Sequence, residues 1–171
     1  MTVHRTRPLP TGPARGRLVI TARVRDRTRQ LLAQPGATTP PHEGLVWWLG
    51  RTVGTDTYVM STISPAVDSG PQHVIANESS VGAAATAARA LRLGIVAQTH
   101  SHPGVDTRHS DGDDDLVLMP FEGMYSIVTA RYGNGDVLPA GGAGVHQFQD
   151  GRWVLVTGED TLIVVPDEVH A

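Results

Sequence analysis

The chain reads as an α/β sandwich, a mixed β-sheet flanked by two main helices. Three observations predict it. Short β-branched apolar runs recur along the sequence. Two segments with capping residues at their starts and helix-compatible interiors separate them. There is no internal repeat and no shift of composition that would mark a second domain. A length of 171 residues suits one domain, and 40% hydrophobic content suffices for a core.

Residues 1–16 are rich in Pro, Arg, Thr and Gly without apolar periodicity, and read as a mobile N-terminal tail. Residues 17–171 read as the single domain. Leu18-Val19-Ile20 is a short first strand. Thr21 is placed to cap a helix from about Ala22 to Ala33, with Val24, Leu31 and Leu32 facing inward, and Pro35-Gly36 ends it. Leu45 to Leu49 is a continuous apolar run, as in a buried strand, with Trp47 and Trp48 as core and flank. Thr57 to Ile63 alternates and reads as its antiparallel neighbour. Pro65 to Pro71 reads as a loop and Val74-Ile75 as a short edge strand. Asn77 or Ser79 starts a second, Ala-rich helix, about Ser80 to Leu93. Ile95 to Gln98 is a further central strand leading to His100. Then come a short helix at Asp113 to Met119, a strand at Met124 to Ala130 and a turn at Gly133 to Gly135. Val145 to Phe148 and Trp153 to Val156 flank Asp150-Gly151, a strong hairpin signal, and Leu162 to Val165 closes the series.

Composition excludes several classes. The formal net charge of −3 gives no basic footprint for nucleic acid. With no cysteine, neither disulfides nor thiolate ligands are available, so a metal site must use nitrogen and oxygen. No apolar stretch approaches the length of a membrane span and no signal-peptide core is visible, so the expected location is the cytoplasm. All 14 basic residues are Arg; Lys is absent, as codon bias in a GC-rich genome would produce.

The chemistry concentrates in His100-Ser-His102-Pro103 and Ser110-Asp-Gly-Asp113. Strand side chains alternate with period two, so His-x-His sends both rings to one side. Pro103 then turns the chain out of the strand. Asp113 can return from the first turn of a helix, where a carboxylate suits the helix dipole. Two neutral imidazoles and one carboxylate form a three-ligand site for a divalent ion such as Zn²⁺, with the fourth position left to water. Asp106 and His109 lie in the intervening loop, and the Asp cluster with Asp111, Asp114 and Asp115 around Asp113 reads as a solvated loop or as supports for the imidazoles.

The string His100-x-His102-Pro103-x6-Ser110-x-x-Asp113 resembles the JAMM (MPN+) motif of the JAB/MPN family of zinc isopeptidases. That motif also has a glutamate on an upstream strand, and Glu43, heading the apolar segment Gly44 to Gly50, fills that place. The order of elements agrees over about residues 17–132, and the short chain is more similar to compact prokaryotic members. Trp47-Trp48, where smaller aliphatics are commoner, and Thr99, where an aromatic is often found, depart from the family pattern at non-ligand positions. The resemblance implies a JAB/MPN-like (cytidine-deaminase-like) three-layer sandwich. It implies one Zn²⁺ on His100, His102 and Asp113, Glu43 as general base and Ser110 as oxyanion donor. The implied reaction is hydrolysis of an amide after the extended C-terminal tail of a ubiquitin-like or sulfur-carrier protein, alongside activating or conjugating enzymes. Two other readings remain: a non-catalytic MPN scaffold, which generally lacks part of the ligand set, and a DNA-repair-associated branch, against which the acidic balance counts.

Overall fold

The computed structural model describes residues 3–116 and 120–167. In chain order these form β1 (Thr11–Gly12), β2 (Leu18–Thr21), α1 (Ala22–Gly36), β3 (Leu45–Val53), β4 (Asp56–Ile63), β5 (Val67–Gly70) and β6 (His73–Ala76). There follow α2 (Glu78–Ala90), β7 (Gly94–Ser101), α3 (Asp111–Leu116), β8 (Tyr125–Thr129), β9 (Gly144–Gln149), β10 (Arg152–Val156) and β11 (Leu162–Val165). Nine strands make one mixed sheet in the order β1-β10-β9-β8-β7-β3-β4-β2-β11, and β5 with β6 forms a separate hairpin. Among the described residues no helix is long and apolar enough to cross a membrane.

The helix starts follow local chemistry. The Thr21 side chain accepts a hydrogen bond from the Val24 amide, and that of Asn77 accepts one from the Ser80 amide. Pro35 sits in the last turn of α1, which runs to Gly36, three residues beyond the predicted end. The inward face of α1 is Val24, Thr28 and Leu32. The buried face of α2 is Ser80, Ala84 and Ala88, small enough for close approach to the sheet.

The middle of the sheet is covered on both faces. Val46, Trp47, Trp48 and Leu49 are all buried although successive side chains point to opposite sides. Trp48 lies on the α1 side, where its indole N–H donates to Thr28 Oγ1 at 2.8 Å, and Thr28 in turn donates to the Val24 carbonyl. The resulting core joins Leu18, Ile20, Val24, Leu32, Val46 and Trp48 to Val96, Tyr125, Ile127 and Val145. The β9–β10 hairpin turns at Asp150 (φ 52°) and Gly151 (φ 74°), two consecutive positive φ values that a two-residue turn of primed type requires.

Three expectations change. Residues 65–71 are not simply a loop, because Val67–Gly70 pairs with His73–Ala76, and the strand expected at Val74-Ile75 joins that hairpin rather than the sheet edge. Residues 3–16, read as a mobile tail, lie against the domain: β1 pairs in parallel with β10, and Arg5 and Arg7 reach α3. The short helix begins at Asp111, two residues early, and its expected end at 117–119 falls outside the described residues.

Candidate metal centre

His100 occupies the penultimate position of β7, paired with Leu45 on β3 and Val128 on β8, so its backbone is fixed from both sides. His102 follows just past the strand, where its amide donates to the Thr129 carbonyl. The period-two spacing sends both rings to the same side, 5.0 Å apart between centroids. Asp113 comes back from the first turn of α3. The Nε2 atoms of the two histidines are 3.2 Å apart. One oxygen of Asp113 lies 3.3 Å from His100 Nε2 and the other 3.2 Å from His102 Nε2.

These separations suit a cation. Four donors at zinc-type distances of about 2.0–2.1 Å around a tetrahedral ion stand roughly 3.3 Å from one another. The ligand atoms of His100, His102 and Asp113 lie within 4.8 Å of each other. The Nδ1–H of His102 donates to the Asp106 carbonyl at 2.9 Å, which leaves the Nε2 lone pair facing the cluster. His100 and His102 are buried and Asp113 half-buried, so an ion here has protein on one side and an opening on the other. Burial opposes ionisation of Asp113, yet the two imidazoles outweigh it and hold the carboxyl well below the usual carboxylate range. Burial would lower His102, and the Asp113 carboxylate raises it instead. The donor set therefore fits a divalent ion of the zinc type.

Glu43 precedes β3 and is pinned on three sides. Its amide donates to the Gly70 carbonyl on the β5–β6 hairpin. The next residue, Gly44, donates to Ser101 Oγ at 2.9 Å and accepts from the Ser101 amide at 3.1 Å, so the residue between the two histidines ties the glutamate segment to the ligand strand. A Cβ at Gly44 would stand 2.9 Å from Pro35 Cγ and 3.3 Å from Leu32 Cδ2; only glycine lets the end of α1 pass there. Glu43 is 6% exposed. Burial raises its carboxyl from 4.5 to about 7, with Asp113 adding to the rise and His102 opposing it. Ser110 caps α3 reciprocally: its amide donates to Asp113 Oδ2 at 2.6 Å, and its Oγ accepts from the Asp113 amide at 3.0 Å. One cavity of about 390 Å³ is lined by Glu43, His102, Ser110 and Asp113, with His4, Gln72 and Pro103 around them. All five residues singled out in the sequence thus sit at one place.

Residues 25–137 match the family described as prokaryotic homologs of the JAB domain. This chain belongs to that family. No curated protein matches it. Among solved structures, it is similar to a protein from Desulfitobacterium hafniense, at 17% identity and a TM-score of 0.65, over 88% of this chain and 94% of that one. It is also similar to a protein from Salinibacter ruber, at 18% identity and a TM-score of 0.56, over 86% and 91%. At such identities the likeness speaks for the fold alone, and it agrees with the layered JAB architecture.

Behind the ligands this JAB domain holds a polar chain that sequence reasoning passed over. His109 is fully buried; its Nδ1–H donates to Asp114 at 3.0 Å, and its Nε2 accepts from the Ser126 hydroxyl at 2.8 Å. Gln98 donates to the same hydroxyl. The His109 ring stacks at 3.9 Å on buried His146, whose Nε2 accepts from the His109 amide. Burial pushes both imidazoles well below their usual value, so both are neutral. The His109 ring also stands 5.9 Å from that of His100, making it part of the wall behind the cluster. Asp111, Asp114 and Asp115, set aside as ligands, pair with Arg7 and Arg5 instead. His42 contacts Ser69, away from the cavity.

Proposed function

We propose that this JAB-domain protein is a zinc-dependent peptidase or isopeptidase. Its substrate would be the amide bond after the extended C-terminal tail of a ubiquitin-like or sulfur-carrier protein. The observation that carries the reading is the pairing of a three-donor cluster with a buried carboxyl raised to about 7 on the rim of the same cavity. Burial brings this carboxyl towards neutrality in the metal-free protein, and a cation held by the three donors would favour its ionised form, the form a general base needs. A structural carboxylate would gain nothing from burial without a paired cation.

Each residue has a distinct task. His100, His102 and Asp113 hold the ion, and the Asp106 carbonyl keeps the His102 proton on Nδ1. When bound, the ion supplies Lewis acidity and makes adjacent water more acidic. Glu43 takes a proton from the attacking water and delivers it to the leaving amine as the C–N bond breaks and the C–O bond forms. Ser110 accepts from the Asp113 amide, so its own hydroxyl hydrogen is free to donate to the oxygen of the scissile carbonyl as that oxygen gains charge. An extended tail would enter along the cavity between the β5–β6 hairpin, through Gln72, and the loop at Pro103 and Gly104.

The test is cleavage of C-terminally extended ubiquitin-like and sulfur-carrier proteins by zinc-loaded protein. Release of the tail by the wild type, abolished by a chelator and untouched by thiol- or serine-directed reagents, supports the reading. Protein that takes up no zinc would point to the scaffold role, and stoichiometric zinc without cleavage of any such substrate would contradict the assigned substrate class.

A further inference from the structure

We propose that the N-terminal arm, residues 3–7, organises the metal centre, with Arg5 as the positioning residue that sets Ser110 and Asp113. This deepens the proposed function and rests on it for the identity of the site.

Three observations converge. First, Asp113 lies in the opening turn of α3, where the first backbone amides have no partner within the helix, so the placement of that turn depends on contacts from outside it. Second, Arg5 is the group that imposes it. Its side chain is only 12% exposed. One guanidinium nitrogen donates to the carbonyls of His109 at 3.1 Å and Ser110 at 3.3 Å, while the other donates to Asp114 at 2.9 Å and to the Pro8 carbonyl. Three of these four acceptors bracket the Ser110–Asp113 turn. The Asp114 carboxylate gripped by Arg5 also holds His109 in the wall behind His100. Third, the same arm reaches the support of the other ligand. The Val3 amide donates to the Asp106 side chain, and the Asp106 carbonyl fixes His102. Thr6 donates twice to Asp111 at the first position of α3, and the Asp111 amide donates back to the His4 carbonyl.

The arm lies outside residues 25–137, the segment matched by the family. The planar fork of Arg matters here: it spans three carbonyls and a carboxylate at once, which a lysine ammonium cannot reproduce with the same geometry.

The experiment compares full-length wild type, Arg5→Ala, Arg5→Lys and a control, Arg17→Ala. Arg17 pairs with Asp56, at the end of β3–β4 remote from His100. Zinc affinity is measured by competition with a chromophoric chelator. Amide exchange of residues 106–115 is measured on metal-free protein. The expected result is a 10- to 100-fold weaker zinc affinity for Arg5→Ala, of the order seen when groups supporting metal ligands are removed. Arg5→Lys should fall between that and wild type in both readouts, the control should be unchanged in both, and exchange at 106–115 should be fastest in Arg5→Ala. Unchanged affinity and unchanged exchange in Arg5→Ala overturn the proposal. So does higher turnover at unchanged affinity, which would make the arm a cover over the cleft. If the wild type takes up no zinc, the proposed function fails instead, and the exchange data still decide whether Arg5 sets the Ser110–Asp113 turn.

Discussion

Replacing Glu43 by Gln separates proton transfer from every other duty at this site. The amide matches the carboxyl in size, so the 6% exposed pocket, the Gly70 contact of the backbone and the Gly44–Ser101 tie should all persist. What disappears is the buried carboxyl on the cavity rim that can accept the proton. General-base assistance is worth roughly 10²- to 10⁴-fold, or about 2.7–5.5 kcal/mol of barrier. Turnover of a tail-extended substrate should fall by that factor while zinc content stays at one per chain. The pH profile supplies a second readout. Glu43 must be ionised to accept a proton, so wild-type kcat/KM should rise with pH through its titration, and that acid limb should vanish in Glu43→Gln. Steady-state kinetics from pH 5 to 9, with metal analysis of the same samples, measures both. Turnover within threefold of wild type, or loss of zinc in parallel with activity, would refute the assignment.

Further expectations follow from the same geometry. Asp113→Ala should release the ion, since it removes one of three donors and the partner of both imidazoles; unchanged stoichiometry in elemental analysis would transfer the role to a neighbouring carboxylate. In metal-free protein, Glu43 holds its proton to higher pH when folded than when unfolded, so its own contribution to stability is fully present below about pH 4.5 and is lost as pH rises to about 7; in thermal melts the difference between wild type and Glu43→Gln should change across that window and stay constant above it. Trp48→Phe should cost about 1–3 kcal/mol in denaturant unfolding, because it leaves the buried Thr28 hydroxyl without its donor and part of the core unfilled, and an unchanged midpoint would contradict this.

The readable parts of the sequence were those whose partners lie close in the chain. His-x-His, Ser-x-x-Asp, the Thr21 and Asn77 caps and the Asp150-Gly151 turn each depend on residues within a dozen positions, and the structure realises all of them. Glu43 is the exception: it was found through the family motif, and its pinning by Gly70 and Ser101 has no local signature. The arm at residues 3–16 has a tail's composition, and nothing nearby reveals that Arg5 meets Asp114, 109 residues on. His109 and His146 went unassigned because a buried, neutral histidine is defined by non-local partners such as Ser126, whose hydroxyl meets His109 and whose carbonyl meets His146. Trp47 and Trp48, read as core and flank, are both buried.

The central claim is that His100, His102 and Asp113 converge on one ion with room left for water. X-ray absorption at the zinc edge, on protein reconstituted with one equivalent of metal, tests it most directly. The account predicts a four-coordinate ion with two imidazole nitrogens and oxygen ligands at about 2.0–2.1 Å, the imidazole signal halving in His102→Ala. An ion with a third imidazole, or a spectrum indifferent to that substitution, would contradict it.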